Sequence, residues 1–397
     1  MKIQLVPNEL SAKIKVLGIG GAGGNAINDM IASQMVGVDF IGANTDAMSL
    51  ERCLAPVKIQ LGPNVTRGLG AGGNAEVGRE ATQEEGERIK QVLHGADMVF
   101  IAAGMGGGTG TGGAPVVADI SREVGALTVA VVSKPFDFEG KMKMRIADKG
   151  IEELRKVADT IITIPNDRLF SLGSKNSRTT DVFSLANEVL GSAVRGISDL
   201  IMLPGFTKVD FADVRTIMKE GGMALMGTGT ASGGSRSAEA AQRAISNPLL
   251  EDISIRGARG ILINITASRE FTMEELKEIC QIVKEEAHDD ALIKWGLVYD
   301  DGLGEEVKVT VIATGIGKRA EAERVLWTPP AQNHVEEDLE IPTILRQETP
   351  RPAEAAKGES RTSPSLGVVG AKKYIVHPDL QYEENELDTP PFLRKAD

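Results

Sequence analysis

Two glycine-rich loops constrain this chain more than any other feature, because each is entered from a short apolar run and each opens a helix-like segment. The first is Gly18-Ile-Gly20-Gly-Ala-Gly23-Gly24-Asn25, after "IKVL". The second is "GMGGGTGTGGAP", Gly104 to Pro115, with six glycines and two threonines in the nine residues 104–112. A backbone without side chains can approach an anion closely, and amides at a helix N-terminus point toward it. The first loop satisfies G-x-G-x-x-G, which a ligand-free turn can also do; the second is hard to explain as a turn. In it Thr109 and Thr111 can add hydroxyl donors to the amides. A third loop, "GLGAGGN" at 68–74, supplies more amides, including those of Gly72 and Gly73. No G-x-x-x-x-G-K-[ST] occurs, so the cradle is not a P-loop. Asn44 and Asp46, after the second strand, could reach a ribose or a metal, or could make an Asx turn.

The runs "IKVLGIG", "VDFIGAN", "ADMVFIAAG", "ALTVAVVS" and "DTIITIPN" read as buried strands, with helical segments between them. That alternation implies βαβ units and an α/β, parallel-sheet, Rossmann-like domain. Residues 179–203 read as one long helix, from apolar residues at spacings of three and four. Its Gly191 and Gly196 allow another element to come close. Beyond Pro204, "GILINITA", "WGLVYD" and "EEVKVTVIATG" read as strands of a smaller α+β domain. The Thr272/Glu275 capping box opens a helix there. From residue 328 onward proline replaces glycine and sustained apolar runs disappear, the composition of a disordered spacer. The terminal "DTPPFLRKAD" regains Phe392 and Leu393 beside Arg394 and Lys395, either as a docking peptide or as an inert tail.

Composition excludes several functions. A net charge of -12 leaves no basic excess for a duplex, and 4% aromatic residues make a poor stacking platform, so no nucleic-acid partner is expected. Two cysteines and four scattered histidines hold neither a disulfide framework nor a zinc site, and no metal-ligating residues are assigned. No apolar run approaches a membrane span and no signal peptide is read, so direct membrane insertion is not expected and the cytoplasm is the expected location.

Some single residues carry candidate chemistry. Phe183 and Asn187, four apart on the long helix, share a face and could form a base pocket, or could be a core ring and a surface amide. Asp210 and Asp213, at i and i+3 of a helix start, could be catalytic or could only complement the helix dipole. Lys141, Lys143 and Arg145 alternate beside Glu139, as a solvated basic face or as charge set against a polyphosphate.

At "GGGTGTG" the chain resembles the tubulin/FtsZ superfamily. Resemblance to its bacterial FtsZ family extends through "GGAGGNA", "NTDA", "GLGAGGNAEVG", "KPFDFEG", "IPNDRL", "PGF..VDFADV", "NPLLED" and "VTVIATG", over residues 13–317, and returns in the last ten residues. The resemblance implies a GTPase that binds GTP or GDP with Mg2+, assembles head to tail with itself, and forms the division ring at midcell. It implies phosphate contacts from Gly21, Ala22, Gly23, Gly24 and Asn25 and from Gly108, Thr109 and Gly110. It further places Glu139 and Lys143 at the ribose, and Asn166, Phe183 and Asn187 around guanine. Asp210 and Asp213 would act in trans, completing the GTPase site of the next subunit. Asp388–Asp397 would bind membrane-tethering division proteins such as FtsA. The expected organisation is an extension at 1–12, a GTP-binding domain at 13–178, a central helix at 179–203, a C-terminal α+β domain at 204–318, a disordered linker at 319–380 and a docking peptide at 381–397. Three residues depart from the family pattern: Lys208 where Asn is usual, Lys143 where Arg is common, and Asn187 where some relatives have Asp. The alternatives are an NAD-binding oxidoreductase, which needs only the first loop, and a nucleotide-dependent filament scaffold that does not hydrolyse.

Overall fold

The computed structural model describes residues 12–172, 178–202, 209–219, 222–250, 257–316, 366–369 and 372–375. The first half alternates as the apolar runs require: β1 (Ile14–Ile19), α1 (Gly20–Ala32), β2 (Val38–Asn44), α2 (Ala47–Glu51), β3 (Val57–Gln60), α3 (Pro63–Thr66), α4 (Ala75–Glu84), α5 (Gly86–Leu93), β4 (Met98–Gly104), α6 (Thr109–Glu123), β5 (Leu127–Lys134), α7 (Lys141–Leu154), β6 (Thr160–Pro165) and α8 (Asn166–Leu172). The long helix is α9 (Thr179–Met202), followed by α10 (Phe211–Lys219), β7 (Met223–Ala231), α11 (Arg236–Ile245), β8 (Gly260–Ala267), α12 (Met273–Glu286), β9 (Leu292–Tyr299) and β10 (Val307–Ile316).

The strands form one sheet in the order β3-β2-β1-β4-β5-β6-β7-β10-β8-β9. The first six are parallel and doubly wound, and the order reverses between β1 and β4. Ligands on such sheets bind at the carboxyl ends of the strands flanking that reversal, and the two glycine loops follow those two strands. Successive residues of a strand face opposite sides of the sheet. Val16 and Phe100 therefore join a core with α1 and α9, while Leu17 and Ile101 join another with α4, α5, α6 and α7. A third core lies between the β7–β10 region and α11 and α12.

The smaller α+β part is joined to the parallel part through the sheet, because β6 pairs with β7 at Ile161↔Met223 and Ile162↔Ala224. Two strands of this sheet were not legible as strands. β3 is a four-residue edge, and β7, "MALMGTGTA", carries glycines where strands usually carry branched residues. A Cβ on Gly227 would lie 2.0 Å from the Ala244 carbonyl oxygen and one on Gly229 2.1 Å from that of Ala240, so α11 sits directly on β7. In the segment read as a spacer, Leu366–Val369 (β11) pairs antiparallel with Lys372–Ile375 (β12). A composition averaged over the whole segment hides these two short branched runs. The terminal peptide 388–397 and Lys208 lie outside the described residues.

The central helix links the two parts. Ala186, Leu190, Ala193, Val194, Ile197 and Ile201 are buried along it. Gly196 admits β10, since a Cβ there would lie 3.2 Å from Thr310 Cγ2. One turn on, burial holds the Asp199 carboxyl up at about 6, against the opposing pull of Arg195 and Lys308. A carboxyl raised on folding stabilises most when protonated. Its contribution is full below the ordinary value of 3.8 and is lost as pH rises through about 6. Asp199→Asn should therefore raise stability at neutral pH by on the order of 1–3 kcal/mol. It should also flatten the stability profile between about pH 4 and 6, which denaturant melts across that range would measure.

Candidate functional site

The carboxyl ends of β1, β4 and β5 open into a cleft of about 470 Å³. Its floor is built from glycines because the loops touch one another. Gly20 has φ +72°, and a Cβ on it would lie 3.3 Å from the Gly110 amide nitrogen. A Cβ on Gly108 would lie 2.8 Å from that of Ala71, so the third loop packs against the second. Thr109 Oγ1 is 2.6 Å from Thr45 Oγ1, which ties the second loop to the end of β2.

The two helices that open from the glycine loops, α1 and α6, start bare, whereas α8, which starts at Asn166 of the same cleft, carries Asp167 in its first turn. Neither α1 nor α6 has a side-chain cap, and neither has an acid in its first turn. Other helices vary: α2 and α4 are capped by Asp46 and Asn74, while α3 and α7 lack both a cap and a first-turn acid. The first amides of a helix have no partner within it, and the helix dipole makes that end positive. Two such ends converging on one cleft attract a compound with several negative charges, and a polyphosphate fits that description.

Gly21, Ala22, Asn25, Gly108, Thr109, Gly110, Glu139, Lys143, Asn166, Phe183 and Asn187 all line the cleft. Gly23 and Gly24 do not. Gly23 is a packing residue, since a Cβ there would lie 2.3 Å from the Ala102 carbonyl oxygen. Asn44 and Asp46 do not line the cleft and make turn hydrogen bonds: Asn44 Oδ1 accepts from the Asp46 amide at 3.2 Å, and Asp46 Oδ1 accepts from the Met48 amide at 3.0 Å. The Ser49 hydroxyl, 2.7 Å from Asp46 Oδ2, is the main reason the Asp46 carboxyl is held below its usual range. Gly72 and Gly73 have positive φ and open space around them, and Gly73 lines a neighbouring cavity. Sequence reading missed Ser133 and Pro135, which also line the cleft. Their position at the carboxyl end of a buried parallel strand, Ser133 within β5 and Pro135 just after it, was the signal available for finding them.

At the far end of the cleft, Phe183 is 47% exposed and meets Phe136 edge-on, with ring centroids 5.4 Å apart. This is a ring presented at a mouth, not a core ring. Asn166 is buried, and its Oδ1 has no hydrogen-bond partner among the described residues. An orphaned buried acceptor costs free energy unless a ligand N–H satisfies it. Glu139 accepts from the Phe136 amide at 3.0 Å and pairs with Lys143, so the two charges at the rim are held together.

Asp210 and Asp213 line none of this. Asp213 lies in the first turn of α10, with its Oδ2 3.0 Å from Lys294 Nζ, while Asp210 is exposed just before the helix. The chain between them and the base end includes the last part of α9, about 22 Å of helix from Asn187 to Met202.

Residues 13–174 match the GTPase domain of the Tubulin/FtsZ family, and residues 222–317 match the C-terminal domain of the FtsZ family. The chain is 47% identical over 400 residues to the cell division protein FtsZ of Pseudomonas aeruginosa, covering 97% of each chain. It is 45% identical over 393 residues to that of Coxiella burnetii, covering 98% of this chain and 97% of the relative. Among solved structures, an empty FtsZ dimer from M. jannaschii superposes with a TM-score of 0.75 at 44% identity, over 79% of this chain and 90% of that one.

Proposed function

Because this chain belongs to the FtsZ family, a family of GTP-dependent cytoskeletal GTPases of cell division, we propose that its subunits stack head to tail and hydrolyse GTP at a site shared between neighbours. The observation that carries the reading is the pair of bare helix N-termini facing one cleft. They supply fixed positive ends for the phosphates, and Gly21, with nothing within 4 Å of a Cβ on it, leaves room for the backbone to approach them. Asn166 Oδ1 is free to accept from a purine N–H, with Asn187 and the Phe183 ring beside it. Glu139 and Lys143 stand where the ribose would rest.

Among the described residues no three His, Cys, Asp or Glu side chains cluster as a metal cage. Mg2+, which readily keeps waters and binds through phosphate oxygens, fits a site of this kind when it arrives with the nucleotide. Bound there, it would neutralise charge on the β- and γ-phosphates.

Hydrolysis needs a group that orients or deprotonates water. Asp210 and Asp213 are the candidates, and they lie beyond the end of α9 from the base pocket. A neighbour stacked head to tail can present them, and such contacts propagate as an open filament. Water attacks the γ-phosphorus, the bond to the β–γ bridging oxygen breaks, and the carboxylate takes up the water proton. The FtsZ dimer of M. jannaschii is consistent with self-association.

The test is sedimentation of purified protein with GTP and with GDP, together with phosphate release against protein concentration. Polymer should form with GTP, and turnover per subunit should rise steeply above a threshold. Turnover that stays constant on dilution far below that threshold defeats the shared site. Polymer without phosphate release would favour the non-hydrolysing scaffold. Base selectivity is checked by competition: ATP should bind much more weakly than GTP, and Asn166→Ala should cost roughly tenfold or more in GTP affinity.

The chain's end is proposed to dock onto a membrane-tethering division protein, FtsA being one of that type, with the ring at midcell as the place of action. Removing 388–397 should leave turnover and polymer near normal while recruitment to the membrane in cells is lost. Normal midcell rings from the truncated chain would refute this.

A further inference from the structure

We infer that Lys294 is a positioning residue for GTP hydrolysis, holding the Asp213 carboxylate and offsetting its charge as it is presented to the triphosphate of the next subunit. The inference rests on the proposed shared site. Lys294 stands on β9, whose register against β8 is fixed by the pairing Leu262↔Lys294. From that strand its Nζ reaches 3.0 Å from Asp213 Oδ2, in the first turn of α10. Both side chains are more than a third exposed, so the pair faces solvent in the subunit.

Two physical problems attend a carboxylate at this position. An acid in a helix's first turn can fold back onto the helix's own free amides, drawn by the positive end of the dipole. A carboxylate brought to a triphosphate is also repelled by it. A lysine 3.0 Å away answers both, since it offers a competing partner and carries the opposite charge. In water such an exposed pair contributes little. Between stacked subunits the solvent is displaced and the same charges interact more strongly. The contribution of Lys294 is therefore expected in the assembled state, in turnover more than in nucleotide binding.

The experiment compares Lys294→Met, Lys294→Arg, Asp213→Asn and the double variant. Phosphate release is measured per polymerised subunit, alongside the assembly threshold and the GTP affinity of the monomer. Lys294→Met should lower turnover per polymerised subunit on the order of tenfold, since loss of positioning alone can cost up to about a hundredfold. GTP affinity should be unchanged and the assembly threshold moved less than the turnover. Lys294→Arg should recover most of the turnover. In the Asp213→Asn background, Lys294→Met should cost nothing further, because the group it positions is gone.

Turnover at or above the wild-type level in Lys294→Met, with Asp213→Asn inactive, overturns the role of Lys294 and leaves the shared site standing. An equal further loss in the double variant, or a raised threshold with unchanged turnover per polymerised subunit, also overturns it. Full turnover in Asp213→Asn would instead bring down the shared-site reading itself.

Discussion

Asp213→Asn is expected to lower GTP turnover by on the order of 10²–10⁴, the range for loss of a group that positions or deprotonates water. GTP affinity of the monomer should be unchanged, because Asp213 does not line the cleft of its own subunit. The fold should also survive. The substitution leaves Lys294 without its carboxylate, but the pair is half-exposed and worth at most about 1 kcal/mol. A sharper form of the experiment mixes Asp213→Asn subunits with subunits that cannot bind GTP. In a head-to-tail filament the carboxylate of one subunit serves the nucleotide of the other. Turnover should reappear where a GTP-loaded Asp213→Asn subunit meets an intact Asp213 on its nucleotide-defective neighbour. A mixture no more active than its components, in filaments shown to contain both, would count against catalysis in trans.

Gly112→Ala should be the most damaging of the small substitutions. Gly112 lies within α6 where α4 crosses it. A Cβ there would stand 1.9 Å from the Ala75 carbonyl oxygen and 2.6 Å from the Arg79 amide nitrogen. Both obstacles are backbone, so no side-chain rotation relieves them and the helices must separate. Overpacking of this kind costs about 1–3 kcal/mol or more, a fall in melting temperature of roughly 2–5 °C or more for a body this large. Because α6 begins at the cleft, the shift should also weaken GTP binding. Gly24→Ala is the contrast. Nothing lies within 4 Å of a Cβ on Gly24, which is inside α1. Alanine there favours the helix by up to about 1 kcal/mol, so the melting temperature should hold or rise. Calorimetry on both variants would check the pair, and equal melting temperatures would contradict the close crossing.

Much of this protein is written locally. A glycine-dense loop after an apolar run requires only its own residues to leave a backbone bare, and five of the six parallel strands were legible as short buried runs. The spacing along α9 likewise set a face that the structure buries against the sheet. Those features depend on neighbours in the chain, which the sequence displays in order.

What the sequence could not decide is which partner each residue meets across the fold. Gly21 and Gly23 are two residues apart in one motif, yet Gly21 faces the cleft and Gly23 packs against Ala102. Asp46 has the chemistry of a ribose or metal ligand, and in the fold it also accepts from the Met48 amide and Ser49 of its own turn. β7 was hidden because its glycines answer to α11, a helix that follows it in the chain but lies over it in space. Lys294, one residue before the run read as a strand, carried no signal in the sequence, and the fold sets it against Asp213. Anion-attracting amides and helix periodicity follow from bonds between adjacent residues, so the sequence by itself determined the cradle and the central helix. Close backbone crossings and ion pairs between distant segments depend on how strands are ordered in the sheet, and that only the tertiary structure decided.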